Sequence, residues 1–397
     1  MSTLLVAIIY LSFISLGLPD SIIGAGWPAM CPDIDASLSS VGTVQMVISA
    51  FTIISAVLSD SLIRKFGTGL LTGISILLTA AAMLLFSSAN SFAILLLWAV
   101  PYGLGAGAID SALNTFVAIN LSSKHLNWLH CCWSVGAILS PYLMSLCIEK
   151  LGSWRYGFFT VSVIQAILTA VVFIFLPLWK KAESSAVTVN VQTADDSGTR
   201  LSFIGILKYP GTLYAFFGFL CYCFLESIPI YFVSSYMRDV FGAAPDKAAL
   251  YAICFAAGMA VCRGLCGIVA VHLNDRLQIR LGLSCIILSS VILILPAGDY
   301  RLSLAAFILM GFGCGPVYPG FVHSVPEDFG IEHSGQIMGV MLAFAYVGFT
   351  VSPIAFQAIA DLFSMRAFGY VVIVMAVICL ILTELLNNLI HKQKVGC

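Results

Sequence analysis

The stretch GLGAGAIDSALNTFVA, residues 103–118, has the apolar content of a helix meant for hydrocarbon, yet it carries Asp110 and Asn114 one turn apart. A charged side chain at the centre of a bilayer costs a few kcal/mol on insertion scales, so such residues normally face a wet cavity or each other. Gly103, Gly107, Asp110 and Asn114 recur at i+4, i+7 and i+11, which puts them on one helix face: small near one end, polar beyond. Small residues let helices approach closely, and the polar part can contact a hydroxyl-rich ligand.

Around this stretch the whole chain is apolar. Of its 397 residues, 60% are hydrophobic and 9% charged, far too little charge to cover a soluble domain of this size. Twelve runs are long enough to cross about 30 Å of hydrocarbon: 3–28, 40–60, 69–89, 92–118, 128–149, 155–178, 208–235, 247–271, 279–297, 302–323, 335–360 and 367–390. Backbone polar groups in lipid must be satisfied internally, so these runs read as helices. Continuous apolar runs, rather than ten-residue alternation, exclude a barrel. The first run has no basic residue before Arg64 and exceeds a signal peptide's apolar core, so it reads as a spanning helix. The 13 cysteines lie mostly in apolar runs; CRGLC at 262–266 lacks metal-ligand spacing, and the thiols read as small hydrophobes.

The longest polar interval, 180–202, begins KKAESSAVTVNVQTADDSGTR and follows the sixth run. Its composition predicts a flexible cytosolic linker, giving an N-terminal six-helix bundle at 1–179, a linker at 180–207 and a C-terminal bundle at 208–397. With both termini inside, eleven basic residues fall on the cytosolic side, among them Arg64, Lys65, Lys180, Lys181 and Arg200, and six on the other. That asymmetry supports cytosolic termini. The remaining basic residue, Arg263, sits inside a helix.

The two halves repeat. GLGAG at 103–107 corresponds to GFGCG at 311–315, Gly136 and Pro141 to Gly348 and Pro353, and Asp60 with Gly67 to Asp275 with Gly282. Related six-helix halves are a device of secondary transporters.

With twelve helices, a central linker and the loop SDSLIRKFGTG at 59–69, the chain resembles the major facilitator superfamily over essentially its whole length. Asp60, Arg64, Lys65 and Gly67 supply that family's aspartate, basic residues and glycine, with Leu58 where a leading glycine is usual; NDRLQIRLG at 274–282 is a partial second copy. Within the family, GAIDSALNTFVA, HLNWLHCCWSVGA at 125–137 and PDSIIGAGWP at 19–28 resemble the fucose-permease-like branch. The resemblance implies an all-α membrane protein of two pseudo-symmetric six-helix bundles. It also implies proton-linked sugar binding at Asp110, where glutamate is usual, and a proton carried by Asp20.

Several further residues are candidates. Pro19 with Gly17, Gly24 and Gly26 predicts a broken first helix around Asp20. A carboxylate taken out of water holds its proton more tightly and can exchange it near neutral pH. Glu226 and Arg263, in helices seven and eight, read equally as site residues or as a structural ion pair. Asn127, His130 and Trp133 open helix five, where His130 can titrate near neutrality and Trp133 can stack on a sugar ring. Tyr318, in the place Asp110 holds in the first half, and Gln336 are further binding candidates; Tyr222 and Gln357 are weaker ones. Asp60, Arg64, Asp275 and Arg276 read as gating latches, exposed pairs worth about 0–1 kcal/mol.

No phosphate loop, GxSxG elbow, HExxH or Cys-His cluster occurs, so the sequence points to neither ATP-driven transport nor an enzyme, and to no metal or cofactor beyond a proton gradient. The expectation is a monomeric secondary transporter of the inner plasma membrane. It would work by alternating access, carrying a monosaccharide related to fucose in symport with protons, with the bilayer and a small solute as partners and no nucleic acid. The alternatives are proton antiport of drugs or metabolites, and a transport-inactive membrane receptor.

Overall fold

The computed structural model describes residues 2–36, 40–190, 201–242, 245–269, 273–295 and 300–395. Every element assigned among them is helical, and the chain divides into two compact units. The first comprises Met1–Asn120 and Leu129–Arg200, the second Leu121–Trp128 and Leu201–Cys397.

The first unit contains α1 (Thr3–Met30), α2 (Val41–Phe66), α3 (Thr68–Ser87), α4 (Phe92–Asn120), most of α5 (Ser123–Leu151), α6 (Arg155–Ile174) and α7 (Leu176–Asn190). The second contains α8 (Phe203–Lys208), α9 (Thr212–Phe241), α10 (Pro245–Val269), α11 (Asp275–Ile294), α12 (Tyr300–Cys314), α13 (Val317–Phe329), α14 (Ile331–Phe363) and α15 (Ala367–Val395). Among the described residues eleven spans are long and apolar enough to cross a membrane, with α12 and α13 together forming one; on α10 the apolar part is the shorter Ile253–Ile268. The chain is therefore a multi-pass membrane protein. The twelve cysteines among the described residues form no disulfide.

The repeated glycines do the same work in each unit. A Cβ on Gly103 would strike the Ile48 carbonyl of α2, and one on Gly105 the Ser75 carbonyl of α3. In the second unit a Cβ on Gly311 would strike the Phe255 carbonyl of α10, and one on Gly313 the Gly282 carbonyl of α11. Successive small residues thus let one helix lie backbone-to-backbone against two neighbours, the packing that lipid favours.

Two expectations about helix continuity are corrected. The first helix is unbroken from Thr3 to Met30 despite Pro19, since a single missing N–H is tolerated where neighbouring helices surround it. Gly17 serves close approach instead: it packs on the Trp133 carbonyl of α5, while Gly136 of α5 packs on the Ile14 carbonyl of α1. The interrupted span is the tenth, read from sequence as one helix over 302–323. It breaks at Gly315–Pro316, between α12 and α13. Proline drives the residue before it out of helical geometry, and a glycine there resists least.

The polar interval after the sixth run is also less open than its composition suggests. α7 carries the chain in helical form to Asn190; residues 191–200, including Arg200, lie outside the described residues. Trp179 of α7 is buried against Phe116 at 5.3 Å and against Gly69. Glu183 accepts a hydrogen bond from the Thr68 backbone N–H at 2.7 Å. Gly67, at φ 76°, offers no capping side chain to α3, so a carboxylate from α7 takes that place. Replacing Glu183 with alanine is expected to lower stability by about 1 kcal/mol, the usual cost of a lost N-cap, read as a lower melting temperature of the purified protein that Glu183→Gln largely restores.

Candidate functional site

In the first unit the close crossing of α1 and α5 through Gly17 and Gly136 sets Asp20 beside Trp133, and α4 brings Tyr102 to the same carboxylate. Tyr102 Oη donates to Asp20 Oδ1 at 2.5 Å, and Trp133 Nε1 donates to Oδ2 at 2.8 Å. Tyr102 is buried, while Asp20 itself is exposed. No cation pairs with Asp20 among the described residues. An intramembrane carboxylate satisfied by two neutral donors, with part of its surface open, has no fixed counter-charge to hold it ionised.

Asp110 is buried on the same α4 helix and belongs to a second network. Asn114 Nδ2 donates both to Asp110 Oδ1 at 2.8 Å and to the Asp110 carbonyl at 2.9 Å. Its Oδ1 lies 3.2 Å from His130 Nε2. Because the Asn114 amide spends its hydrogens on Asp110, its oxygen is left to accept, so His130 carries its hydrogen on Nε2. The imidazole sits edge-on to Phe13, ring centres 5.6 Å apart. Asn114 therefore ties an acid to an imidazole. Asp20 and Asp110 share none of these partners.

In the second unit Arg263 Nη2 donates to Glu226 Oε1 at 3.1 Å, both side chains being about 4% exposed. Gly315, at the break in the tenth span, packs on Cys262 and Arg263 of α10. Tyr222, one turn from Glu226 on α9, donates to the Cys314 carbonyl at 2.8 Å. Tyr318 lies nearby in an aromatic group, its ring centre 4.7 Å from Phe219, which stacks on Tyr222. Glu226, Arg263, Tyr222 and Tyr318 thus form one polar-aromatic knot around the helix break.

The remaining candidates lie elsewhere. The Gln336 amide donates to the Leu201 carbonyl at 3.2 Å and accepts from the Leu201 N–H at 3.3 Å, tying down the chain ahead of α8. Gln357 donates to Asp361 at the exposed end of α14. Asn127 is buried, with Nδ2 on the Ser123 carbonyl. Among the latch candidates, Asp60 is paired within α2 to Arg64 at 3.0 Å. Asp275 accepts from Ser123 at 2.6 Å and meets His323 Nδ1 at 2.6 Å, while Arg276 pairs with Asp328 at 2.9 Å. Sequence spacing alone does not single out Tyr102, His323 or Asp328. The available signals were a tyrosine abutting GLGAG and a histidine inside the apolar stretch before PEDFG.

A helical membrane protein with internally repeated units, an interrupted span and acids held in separate polar networks inside its helices has the makings of a secondary transporter. The sequence model of the Major Facilitator Superfamily matches residues 9–347 and again 216–393, and the chain belongs to that family of transporters. It is 23% identical over 382 residues to the uncharacterized transporter y4wD of Sinorhizobium fredii, covering 91% of this chain and 92% of that one. Among solved structures, it resembles the transporter FucP in its outward conformation, the fucose:proton symporter of E. coli, with TM-score 0.74, 14% identity and coverage of 97% and 99%. It likewise resembles the proton:xylose symporter XylE bound to 6-bromo-6-deoxy-D-glucose, with TM-score 0.79, 11% identity and coverage of 97% and 95%. At these identities the likeness is one of fold.

Proposed function

We propose that this transporter carries a small polyhydroxylated solute, a monosaccharide of the fucose type, in symport with protons by alternating access. It acts as a monomer in the inner plasma membrane with both termini cytosolic and needs no bound cofactor. The observation that carries the proposal is Asp20: a carboxylate inside a spanning helix, accessible, and held by Tyr102 and Trp133 rather than by a cation. An acid so placed can be neutralised by a proton at little structural cost, which coupling to a proton gradient demands. FucP and XylE, similar in fold, are named as proton symporters of sugars, and the resemblance of 103–118 and 125–137 to the fucose-permease-like branch points the same way.

In this reading Asp110 and His130 meet solute hydroxyls, and Asn114 orients both. The knot of Glu226, Arg263 and Tyr318 serves binding and charge balance within the second unit, and Asp60, Arg64, Asp275 and Arg276 act as latches. The defining experiment is uptake of labelled L-fucose, D-xylose and D-glucose into proteoliposomes with an imposed pH gradient, acid outside. At least one sugar accumulates and dissipating the gradient abolishes it; gradient-independent behaviour for all three, or export of aromatic cations instead, refutes the reading. Asp110→Asn is expected to raise the solute Kd by roughly 10-fold or more, the loss of a hydrogen bond to a charged group, measured by titration calorimetry.

A further inference from the structure

We infer that Asp20 takes its proton on Oδ1, and that Tyr102 is the positioning residue that permits this by turning its hydroxyl from donor to acceptor. The inference rests on the reading of Asp20 as the coupling carboxylate and adds where the proton sits and what receives it.

The two carboxylate oxygens have unlike neighbours. Oδ2 faces the indole Nε1 of Trp133 at 2.8 Å, and an indole N–H can only donate. A proton on Oδ2 would point one hydrogen at another and break that bond. Oδ1 faces Tyr102 Oη at 2.5 Å, and a phenol both donates and accepts. When Oδ1 is protonated, its new O–H donates to Tyr102 Oη and the phenolic hydrogen rotates away about the C–O bond. Trp133 goes on donating to Oδ2, now the carbonyl oxygen.

The surroundings favour a turning hydroxyl over a moving side chain. Tyr102 is 1% exposed, and its ring lies against Phe86, centres 6.5 Å apart. The Trp133 backbone is fixed where Gly17 of α1 packs on its carbonyl. The hydroxyl rotor can answer a change of charge without moving the buried Tyr102 ring or the Trp133 backbone. From α4 the titratable group facing Asp20 is Tyr102, and from α5 the facing polar group is Trp133; no lysine, arginine or second carboxylate acts on it among the described residues. The step balances: one proton from water joins an Oδ1 lone pair, the carboxylate charge goes from −1 to neutral, Tyr102 stays a phenol, and release reverses each change.

The test reads the two partners separately. Raman spectra distinguish a donating from an accepting tyrosine hydroxyl through the ring doublet, and report hydrogen bonding of the indole N–H through a separate band. Acidifying the wild-type protein in liposomes should convert one tyrosine, absent in Tyr102→Phe, from donor to acceptor, with the indole band unchanged. Asp20→Asn should show that tyrosine accepting at every pH. An indole band that loses its hydrogen bond on acidification, with the tyrosine still donating, places the proton on Oδ2 and overturns the inference. In transport, Tyr102→Phe should keep solute counterflow, which needs no net proton movement, while gradient-driven accumulation falls at least tenfold and its pH profile is displaced. Accumulation by Tyr102→Phe with the wild-type pH profile overturns the inference as well. Accumulation by Asp20→Asn would instead refute the coupling role of Asp20 itself, so the two failures are distinguishable; the spectra of wild type and Asp20→Asn decide the matter even if Tyr102→Phe does not fold.

Discussion

Asp20→Asn is expected to fold, insert and exchange solute across the membrane, but to lose accumulation altogether: the solute ratio falls to equilibrium from the roughly tenfold per pH unit that one co-transported proton allows. Asparagine is the informative replacement because it copies the protonated acid. Its oxygen can accept from Trp133 Nε1, and its NH2 can donate to Tyr102 once that hydroxyl turns, so both partners seen in the wild type remain satisfied. What it cannot do is ionise. The measurements are labelled-sugar accumulation under an inward proton gradient, counterflow at equal pH, and the pH dependence of each. The sign follows from the chemistry: wild-type uptake falls as external pH rises and the acid stays ionised, while the variant's residual facilitated flux does not vary with pH. A variant that still concentrates sugar and keeps the wild-type pH profile removes Asp20 from the coupling step. Alanine would be a poorer choice, since it would leave Trp133 Nε1 and Tyr102 Oη without their acceptor and mix a folding defect with the transport defect.

The architecture was legible in the sequence because lipid imposes few solutions. Runs of twenty apolar residues must be helices, and GLGAG and GFGCG announce by glycine alone where helices touch: Gly103 and Gly105 pack on α2 and α3 in one unit as Gly311 and Gly313 pack on α10 and α11 in the other. Breaks in helices were harder to place. Pro19 and Pro316 look alike in sequence, but Pro316 follows a glycine that can leave helical geometry, whereas Pro19 follows Leu18 in a helix gripped by α5. The site was half legible. Spacing announced that Asp110 and Asn114 share a face, since i and i+4 always do, and the Asn114–Asp110 bond realises it. Spacing could not announce that Tyr102, 82 residues from Asp20, would reach it, or that Gln336 would be spent on the Leu201 backbone. Partners brought together by tertiary packing leave no local period to read.

Arg263→Met is expected to be the most destabilising single change in the second unit, by about 3–5 kcal/mol, because it strands Glu226 without its cation in a nearly dry site. The loss should show as a large fall in melting temperature in detergent and as poor recovery of folded protein. The double variant Arg263→Met with Glu226→Gln should recover most of that loss: methionine fills the volume of the arginine stem and glutamine leaves no charge to strand. Replacing a buried pair by neutral groups is often close to neutral in energy, whereas breaking it is not. This asymmetry separates stability from function. If the pair serves only to hold α9 against α10, the double variant should transport as the wild type does. If Glu226 and Arg263 balance charge when solute and proton bind, the double variant should be stable yet slow, with sugar affinity or proton coupling altered. Equal stability of Arg263→Met and the wild type would mean that Glu226 is neutral without its partner, and would move it from ion pair to proton acceptor in its own right. The break at Gly315–Pro316, which packs on Arg263, makes the second outcome the expected one, because a charge pair lodged against an interrupted helix sits where the backbone is easiest to shift.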